Sequence, residues 1–301
     1  MTLPRIIIGT DGDDVLTARP EGGRLEGLGG DDTLYGSDEN DRLYGTTGQN
    51  TVYGYGGDDK ISRPGYFADG GDGNDKIVDV SIGYGGAGDD TIDSWGGSDT
   101  LFGGDGDDLI DAGRGNNIVR GGAGDDRIWA DIGRSRVAGG DGDDELSVSW
   151  WGTLGGQDGD DTLNGGRYSN KLMGGSGDDV LNGYSRNDSL YGGAGDDSLF
   201  GGTHRDVLFG GDGDDVLHGG LGVDTVTGGA GADIFVVTTG NGASRIMDFE
   251  QGTDLIGLSR GIRLSELTFS GDTVRDGDGD VLARFEGFAA TDLTAADFAI
   301  V

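Results

Sequence analysis

From Gly9 to about residue 236 the apolar positions recur every nine residues, a period that belongs to neither an amphipathic helix nor a long alternating strand. The eighth position of the unit is apolar throughout: Leu16, Leu34, Leu43, Val52, Ile61, Ile77, Ile92, Leu101, Ile110, Ile128, Leu146, Leu163, Leu181, Leu199, Leu217 and Phe235. The third to ninth positions alternate as a short strand does, and the glycines before them supply the left-handed or crowded backbone of a tight turn. The pattern predicts short strands joined by tight turns, with one inward side chain per unit building the core. From about Val237 the period gives way to ordinary alternation in Ser244–Phe249, Gly252–Leu258, Thr273–Val274 and Val281–Phe285. These segments predict antiparallel strands that cover the open end of the repeat, with Phe249, Ile256, Phe285 and Phe288 as the covering side chains. The expected division is 1–236 for the repeat and 237–301 for the cap.

Composition changes this picture in one respect. The 301 residues include 68 glycines, only 33% hydrophobic residues, and 21 basic against 56 acidic side chains, for a net charge of -35. Such a chain cannot build one ordinary globular core, and like-charge repulsion by itself favours disorder. Something must neutralise the charge for the strands to assemble. No cysteine is present, which excludes disulfides, thiol catalysis and cysteine-based zinc sites. No apolar run approaches the roughly 18 residues of a membrane span, and Ile6–Ile8 is too short for a signal-peptide core, so neither Sec-type export nor membrane insertion is expected. A polyanion of this strength is repelled by nucleic acids and anionic bilayers, leaving cations as partners.

Units such as Gly103–Asp111, Gly121–Trp129 and Gly210–His218 carry Gly-Gly-x-Gly-x-Asp-x-apolar-x at every fixed place. This nonapeptide resembles that of the RTX proteins, and the resemblance covers about three quarters of the chain. It implies an all-β fold: a right-handed parallel β-roll solenoid of about 18 residues per turn, with a small antiparallel β C-terminal cap. It also implies that the first six residues of each unit form a calcium loop and the last three a strand.

Turns of this length place alternate units on one edge. The first edge carries aspartate at the sixth place of all twelve loops: Asp41, Asp59, Asp75, Asp90, Asp108, Asp126, Asp144, Asp161, Asp179, Asp197, Asp215 and Asp233. On the second edge Asp14 and Asp32 fill that place at the start, and Asp188, Asp206 and Asp224 near the finish, while the middle reads Asn117, Ser135 or Asn170. Carboxylates stacked about 4.8 Å apart coexist only with a shared cation. Calcium suits them, since it takes six to eight oxygen ligands in flexible geometry and glycine-rich loops offer carbonyls. One ion in each gap of the first edge brings the charge to roughly -13, so roughly ten ions are expected, with a metal-free chain that is largely disordered.

The second edge gathers other chemistry. Tyr66, Phe67, Tyr84, Trp95, Trp150, Trp151, Tyr168 and Tyr184 lie there with Arg63, Arg114, Arg134, Arg167, Arg186, Arg205 and His204. Arginine clamps carboxylates and sulfates, and aromatic faces accept sugar rings. The set Tyr66, Trp95, Arg114, Trp150, Trp151, Tyr168 and Arg186 therefore suits an acidic extracellular polysaccharide. A plainer reading stands beside it, in which arginine replaces calcium as counter-charge and the aromatics plug shortened turns such as Arg63–Asp69 and Asp79–Tyr84. A polysaccharide lyase is the enzymatic alternative, with Tyr84, Tyr168, Tyr184 or His204 as base and Arg134, Arg167 or Arg186 neutralising a uronate. A passive matrix or surface-layer protein is the third. Arg24, Arg42 and Lys60, spaced 18 apart, and the pairs Tyr35/Tyr53 and Tyr191/Phe209 read as structural ladders on the strands.

No His-Glu-x-x-His or Gly-x-Ser-x-Gly occurs, so the protease and lipase motifs that accompany such repeats are missing. Asp276–Asp280 departs from an EF-hand, with Val281 where glycine and Gly287 where glutamate belong, and predicts a turn. Asp248–Leu258 resembles the region that follows the repeats in RTX proteins, and Ala295–Val301 resembles a tail read by type I secretion machinery. That resemblance implies an extracellular protein that folds after leaving a low-calcium cytoplasm.

Overall fold

A computed structural model describes residues 6–239 and 242–301. They form two compact units, 1–148 and 149–301. In the first, Ile6–Ile8, Arg24–Glu26, Arg42–Tyr44, Lys60–Ser62, Lys76–Val78, Thr91–Asp93, Leu109–Asp111, Arg127–Ala130 and Glu145–Val148 pair in parallel in that order. The intervening segments Val15–Thr17, Thr33–Ser37, Asn50–Gly56, Gly65–Asp72, Ile82–Ala87, Thr100–Asp105, Ile118–Ala123 and Arg134–Asp141 pair as a second parallel sheet. Successive partners stand 18 residues apart, as Leu25 and Leu43 do, falling to 16 between Ile61 and Ile77 and to 15 between Ile77 and Ile92. The shortened units are thus absorbed by shorter turns, with one register shift between Asn50 and Thr51 where Asn50–Gly56 pairs with Gly65–Asp72.

The second unit repeats the arrangement. Thr162–Asn164, Val180–Asn182, Ser198–Thr203, Val216–Leu221, Ile234–Val237, Leu255–Leu258 and Phe298–Ile300 form one parallel sheet. Trp151–Asp158, Lys171–Ser176, Ser189–Ala194, Val207–Asp212, Thr225–Ala230, Ser244–Ile246 and Val281–Phe285 form the other. Each unit is therefore a parallel β-solenoid. No helix among the described residues is long and apolar enough to cross a membrane.

The eighth-place side chains point inward and are fully buried from Leu34 to Leu217, whereas Leu16, on one of the earliest strands, is half-buried. Burying such a side chain contributes about 2 kcal/mol, so a core one residue wide per strand is adequate only because it repeats. The C-terminal segment differs from the expected antiparallel cap in where the pairing reverses. Ser244–Ile246 and Leu255–Leu258 still extend the two sheets in parallel, and antiparallel pairing is confined to Thr268–Ser270, Thr273–Arg275 and Val281–Phe285. The alternation of these segments is compatible with either direction, and the exposed edge of the last turn offers a ready parallel partner. Phe249 packs against Phe235, Phe285 and Phe288, with ring centroids 5.2–6.2 Å apart, and so seals the core.

Candidate metal centre

The sixth-place aspartates are held by the turn before them. The backbone N–H of Asp41 donates to Asp59 Oδ1 at 2.7 Å, and the same bond joins Asp59 to Asp75, Asp75 to Asp90, Asp90 to Asp108, Asp108 to Asp126 and Asp126 to Asp144 at 2.7–2.8 Å. In the second unit it joins Asp161 to Asp179, Asp179 to Asp197, Asp197 to Asp215 and Asp215 to Asp233 at 2.8–3.0 Å. These side chains are buried, at 3% exposure or less. The other oxygen, Oδ2, is buried without a hydrogen-bond partner in Asp59, Asp75, Asp90, Asp108, Asp126, Asp179, Asp197 and Asp215, and on the second edge in Asp32, Asp188, Asp206 and Asp224. A buried anionic oxygen without a partner is costly, and it marks where a cation or a proton belongs.

The first-place glycine makes room for that oxygen. A Cβ on Gly103 would meet Asp108 Oδ2 at 2.0 Å and the carbonyl oxygen of Gly121, one turn on, at 2.7 Å. Two acceptors thus converge on one small space in loop after loop. Burial, reinforced by neighbouring carboxylates, pushes Asp90 and Asp188 up to about 8 and Asp59, Asp108, Asp197, Asp206 and Asp215 up to about 7, against the opposing backbone hydrogen bond. Without a cation these carboxylates resist ionisation at neutral pH.

One degenerate loop shows what can satisfy such a site when no charge is present, although the Asn50 amide nitrogen, at the same place in its own unit, is buried without a partner. At Asn117 the side-chain amide stands where the carboxylate would be, and Nδ2 donates to the carbonyls of Ala112 at 2.9 Å and Gly113 at 3.4 Å. Those are the first- and second-place carbonyls of the unit, so in an aspartate loop the equivalent carbonyls would meet Oδ2 as acceptor to acceptor. Among the described residues no three acidic or histidine side chains converge on one point, so carbonyls would complete the shell, as calcium accepts and transition metals do not favour.

Several residues behave in ways the repeat did not announce. Asp41 Oδ2 already accepts from Ser37 N–H at 2.7 Å and Oγ at 2.8 Å, and half-buried Asp14 accepts from the Thr10 hydroxyl at 2.9 Å. Hydroxyl residues at the second place replace glycine there and satisfy the carboxylate. Asp99, in the degenerate stretch, is also buried, its Oδ2 accepting from Ser94 Oγ at 2.8 Å. The fifth place carries a second ladder of opposite sense, in which Asp107 N–H donates to Asp89 Oδ1 and Asp125 N–H to Asp107 Oδ1 at 3.1 and 2.9 Å. The recurrent Asp-Asp pair was its signal in the sequence.

Within each unit the aromatic and basic residues of the second edge have different surroundings. Tyr84 lies on the outer face of a sheet, stacked on Phe102 at 4.7 Å and beside Phe67 at 5.7 Å, in a column that continues through Tyr53 and Tyr35. Trp151 stacks on Tyr168 at 4.1 Å with Trp150 edge-on at 5.3 Å, and all three are half-buried. Their faces are largely used on one another. Trp95, Tyr66 and Tyr184 remain open, at 62%, 46% and 54% exposure. Arg114 is joined to the Trp95 stretch by backbone hydrogen bonds, Gly97 N–H donating to its carbonyl at 3.0 Å. In the second unit Tyr184, Arg186 and His204 hold left-handed backbones, with φ of 66, 78 and 91°, where the repeat would place glycine. Tyr184 donates its hydroxyl to Asn164 Oδ1 at 3.0 Å, and His204 Nδ1 sits against Thr203 of its own loop. Arg134 begins the strand Arg134–Asp141, and Arg167 lies in an exposed loop whose N–H donates to the Ser149 carbonyl.

Comparison with known proteins agrees with the loop chemistry. The family described as RTX calcium-binding nonapeptide repeat (4 copies) matches residues 23–51, 35–62, 82–110, 102–137, 120–148, 155–185, 173–203, 182–217, 200–235 and 209–242. No curated protein matches the chain. Among solved structures it is similar to the extracellular lipase LipA from Serratia marcescens, at 16% identity over 59% of this chain and 45% of that one, with a TM-score of 0.25. It therefore spans less than half of the lipase's length. It is also similar to a hyperactive, Ca2+-dependent, β-helical antifreeze protein from an Antarctic bacterium, at 19% identity over 82% of this chain and 83% of that one, with a TM-score of 0.40.

Proposed function

The chain belongs to the RTX calcium-binding nonapeptide-repeat family, and from that premise we propose that it is a secreted β-roll which orders on meeting calcium and then serves as a binding scaffold for an acidic extracellular polysaccharide. Membership makes it a protein of multiple calcium ions. The ligands we assign are the sixth-place aspartates, foremost those whose Oδ2 is buried without a partner, together with loop carbonyls. The observation that carries this reading is the contrast between Asn117, whose amide donates to the loop carbonyls, and its aspartate counterparts, which present an acceptor to acceptors. For an ionised carboxylate a cation is what makes the second arrangement favourable.

Folding and binding are then one equilibrium, because no such site exists in the unfolded chain. A ligand at about 100 times its dissociation constant contributes about 2.7 kcal/mol per site, so a few sites decide whether the solenoid is populated. The family, with the Ala295–Val301 tail, favours release by a type I secretion route into a calcium-rich exterior. For the polysaccharide, the support is the open indole of Trp95 beside Arg114 and the exposed Tyr184 and Arg186.

The test is a calcium titration followed by far-ultraviolet circular dichroism, with native mass spectrometry counting bound ions. Strand signal should appear cooperatively with several ions per chain. A chain already rich in strand in excess chelator at neutral pH overturns the coupling. Retention of the calcium-loaded protein on a uronate polymer gel, and its loss on chelation, tests the scaffold role.

A further inference from the structure

Arg24, Arg42, Lys60 and Lys76 are consecutive register partners in one sheet of the first unit. Arg42, Lys60 and Lys76 are exposed, and among the described residues they have no ion-pair partner. Arg24 pairs with Glu26 at 2.5 Å and lies over the Tyr44 ring at 4.8 Å. Like charges directly opposite one another destabilise a sheet. A structural ladder accounts for the stacked rings of Tyr35 and Tyr53, but it does not account for four cations in line in a chain with few of them.

The column borders an open cleft of about 620 Å³, lined by Arg24, Arg42 and Lys60 and also by Glu21, Asn40 and Asp58. We propose that this strip binds a linear uronate-type polysaccharide. The strip presents one positive charge per turn, at intervals of about 4.8 Å, a regular row that can meet a linear polymer whose acid groups recur on every sugar or on every second one. Basic donors in the same cleft as carboxylate and amide acceptors suit a ligand that is both acidic and rich in hydroxyls. Between its carboxylates a uronate polymer carries hydroxyls that can donate to Glu21 and Asp58, donors that the phosphodiester backbone of DNA lacks. The inference rests on the polysaccharide reading above but moves the binding surface from the loop edge to the sheet face.

The test uses the full calcium-loaded chain with hyaluronan oligosaccharides, neutral dextran, anionic vesicles and single-stranded DNA as probes, and compares R42E/K60E with W95A/R186A. Both pairs are exposed, and calcium-induced circular dichroism verifies that each variant folds. Hyaluronan binding that is absent for dextran, falls steeply with salt and drops at least tenfold in R42E/K60E supports the strip. Unchanged binding in R42E/K60E with a loss in W95A/R186A overturns the strip and leaves the edge reading standing. An unaltered chain that binds no hyaluronan overturns both. Binding of vesicles or DNA that R42E/K60E abolishes, without hyaluronan binding, overturns the polysaccharide as occupant.

Discussion

The backbone N–H of Asp90 donates to Asp108 Oδ1 at 2.8 Å, and the same carboxylate leaves its Oδ2 buried without a hydrogen-bond partner. One oxygen ties adjacent turns together and the other demands a cation. Because the arrangement recurs turn after turn, the cohesion of the solenoid and its affinity for metal are aspects of one device.

In the absence of metal, stability should depend on pH in the sense opposite to an ordinary salt-bridged protein. The folded-state values of about 6 to 8 for Asp75, Asp59, Asp108 and Asp90 lie above the ordinary value near 3.8. The unfolded chain therefore releases these protons first, and stability present below about pH 4 is lost as pH rises through 6 to 8. Circular dichroism in chelator should show strand structure at pH 4 that disappears by pH 8 and returns on adding calcium.

Asp108→Asn should remove a metal requirement while leaving the loop intact, because the new amide can donate to the Gly103 and Gly104 carbonyls as Asn117 does in its own loop. Bound-ion stoichiometry should fall, calcium affinity should drop several-fold, and metal-free stability should rise by about 1–2 kcal/mol. Asp41→Asn should change stoichiometry less, since Ser37 already occupies Asp41 Oδ2. Native mass spectrometry and chelator-phase denaturation distinguish the two.

Gly103→Ala should be severe and Gly12→Ala mild. The first would place a Cβ 2.0 Å from Asp108 Oδ2, whereas a Cβ at Gly12 meets only Thr10 Oγ1 at 3.8 Å. Urea unfolding in saturating calcium should show a loss of about 3 kcal/mol for the former and about 0.5 kcal/mol or less for the latter.

Trp151→Ala should act on packing. Its ring is stacked on Tyr168 and meets Trp150 edge-on, so thermal unfolding in calcium should register a loss of about 1–3 kcal/mol. Trp95→Ala, at a 62% exposed position, should leave stability within about 0.5 kcal/mol and reduce retention on a uronate gel. Equal retention of Trp95→Ala and the unaltered chain would remove Trp95 from the binding surface.

Much of the molecule is legible in its sequence. The inward row from Leu34 to Leu217, the shortened units around Arg63 and Asp79, and the recurrent sixth-place aspartate follow from a period that strand alternation and glycine turns enforce locally. The turn at Asp276–Asp280 and the covering role of Phe249 and Phe285 were legible for the same reason.

Contacts between residues a full turn apart were not. The N–H of Asp90 reaches Asp108 Oδ1 across 18 residues, and whether Tyr84 faces solvent from a loop or stacks on Phe102 depends on how shortened turns realign, whereas Asp14, Asp41 and Asp99 are met within their own loops by Thr10, Ser37 and Ser94. The direction of the last strands likewise depended on the open edge presented by the turn before them. A nine-residue period dictates which side chains point inward, because that is a property of each strand alone. The backbone N–H that meets an aspartate Oδ1, or the unrelieved charge beside Arg42, is settled by the turns stacked above and below, since hydrogen bonding and repulsion act across space and not along the chain.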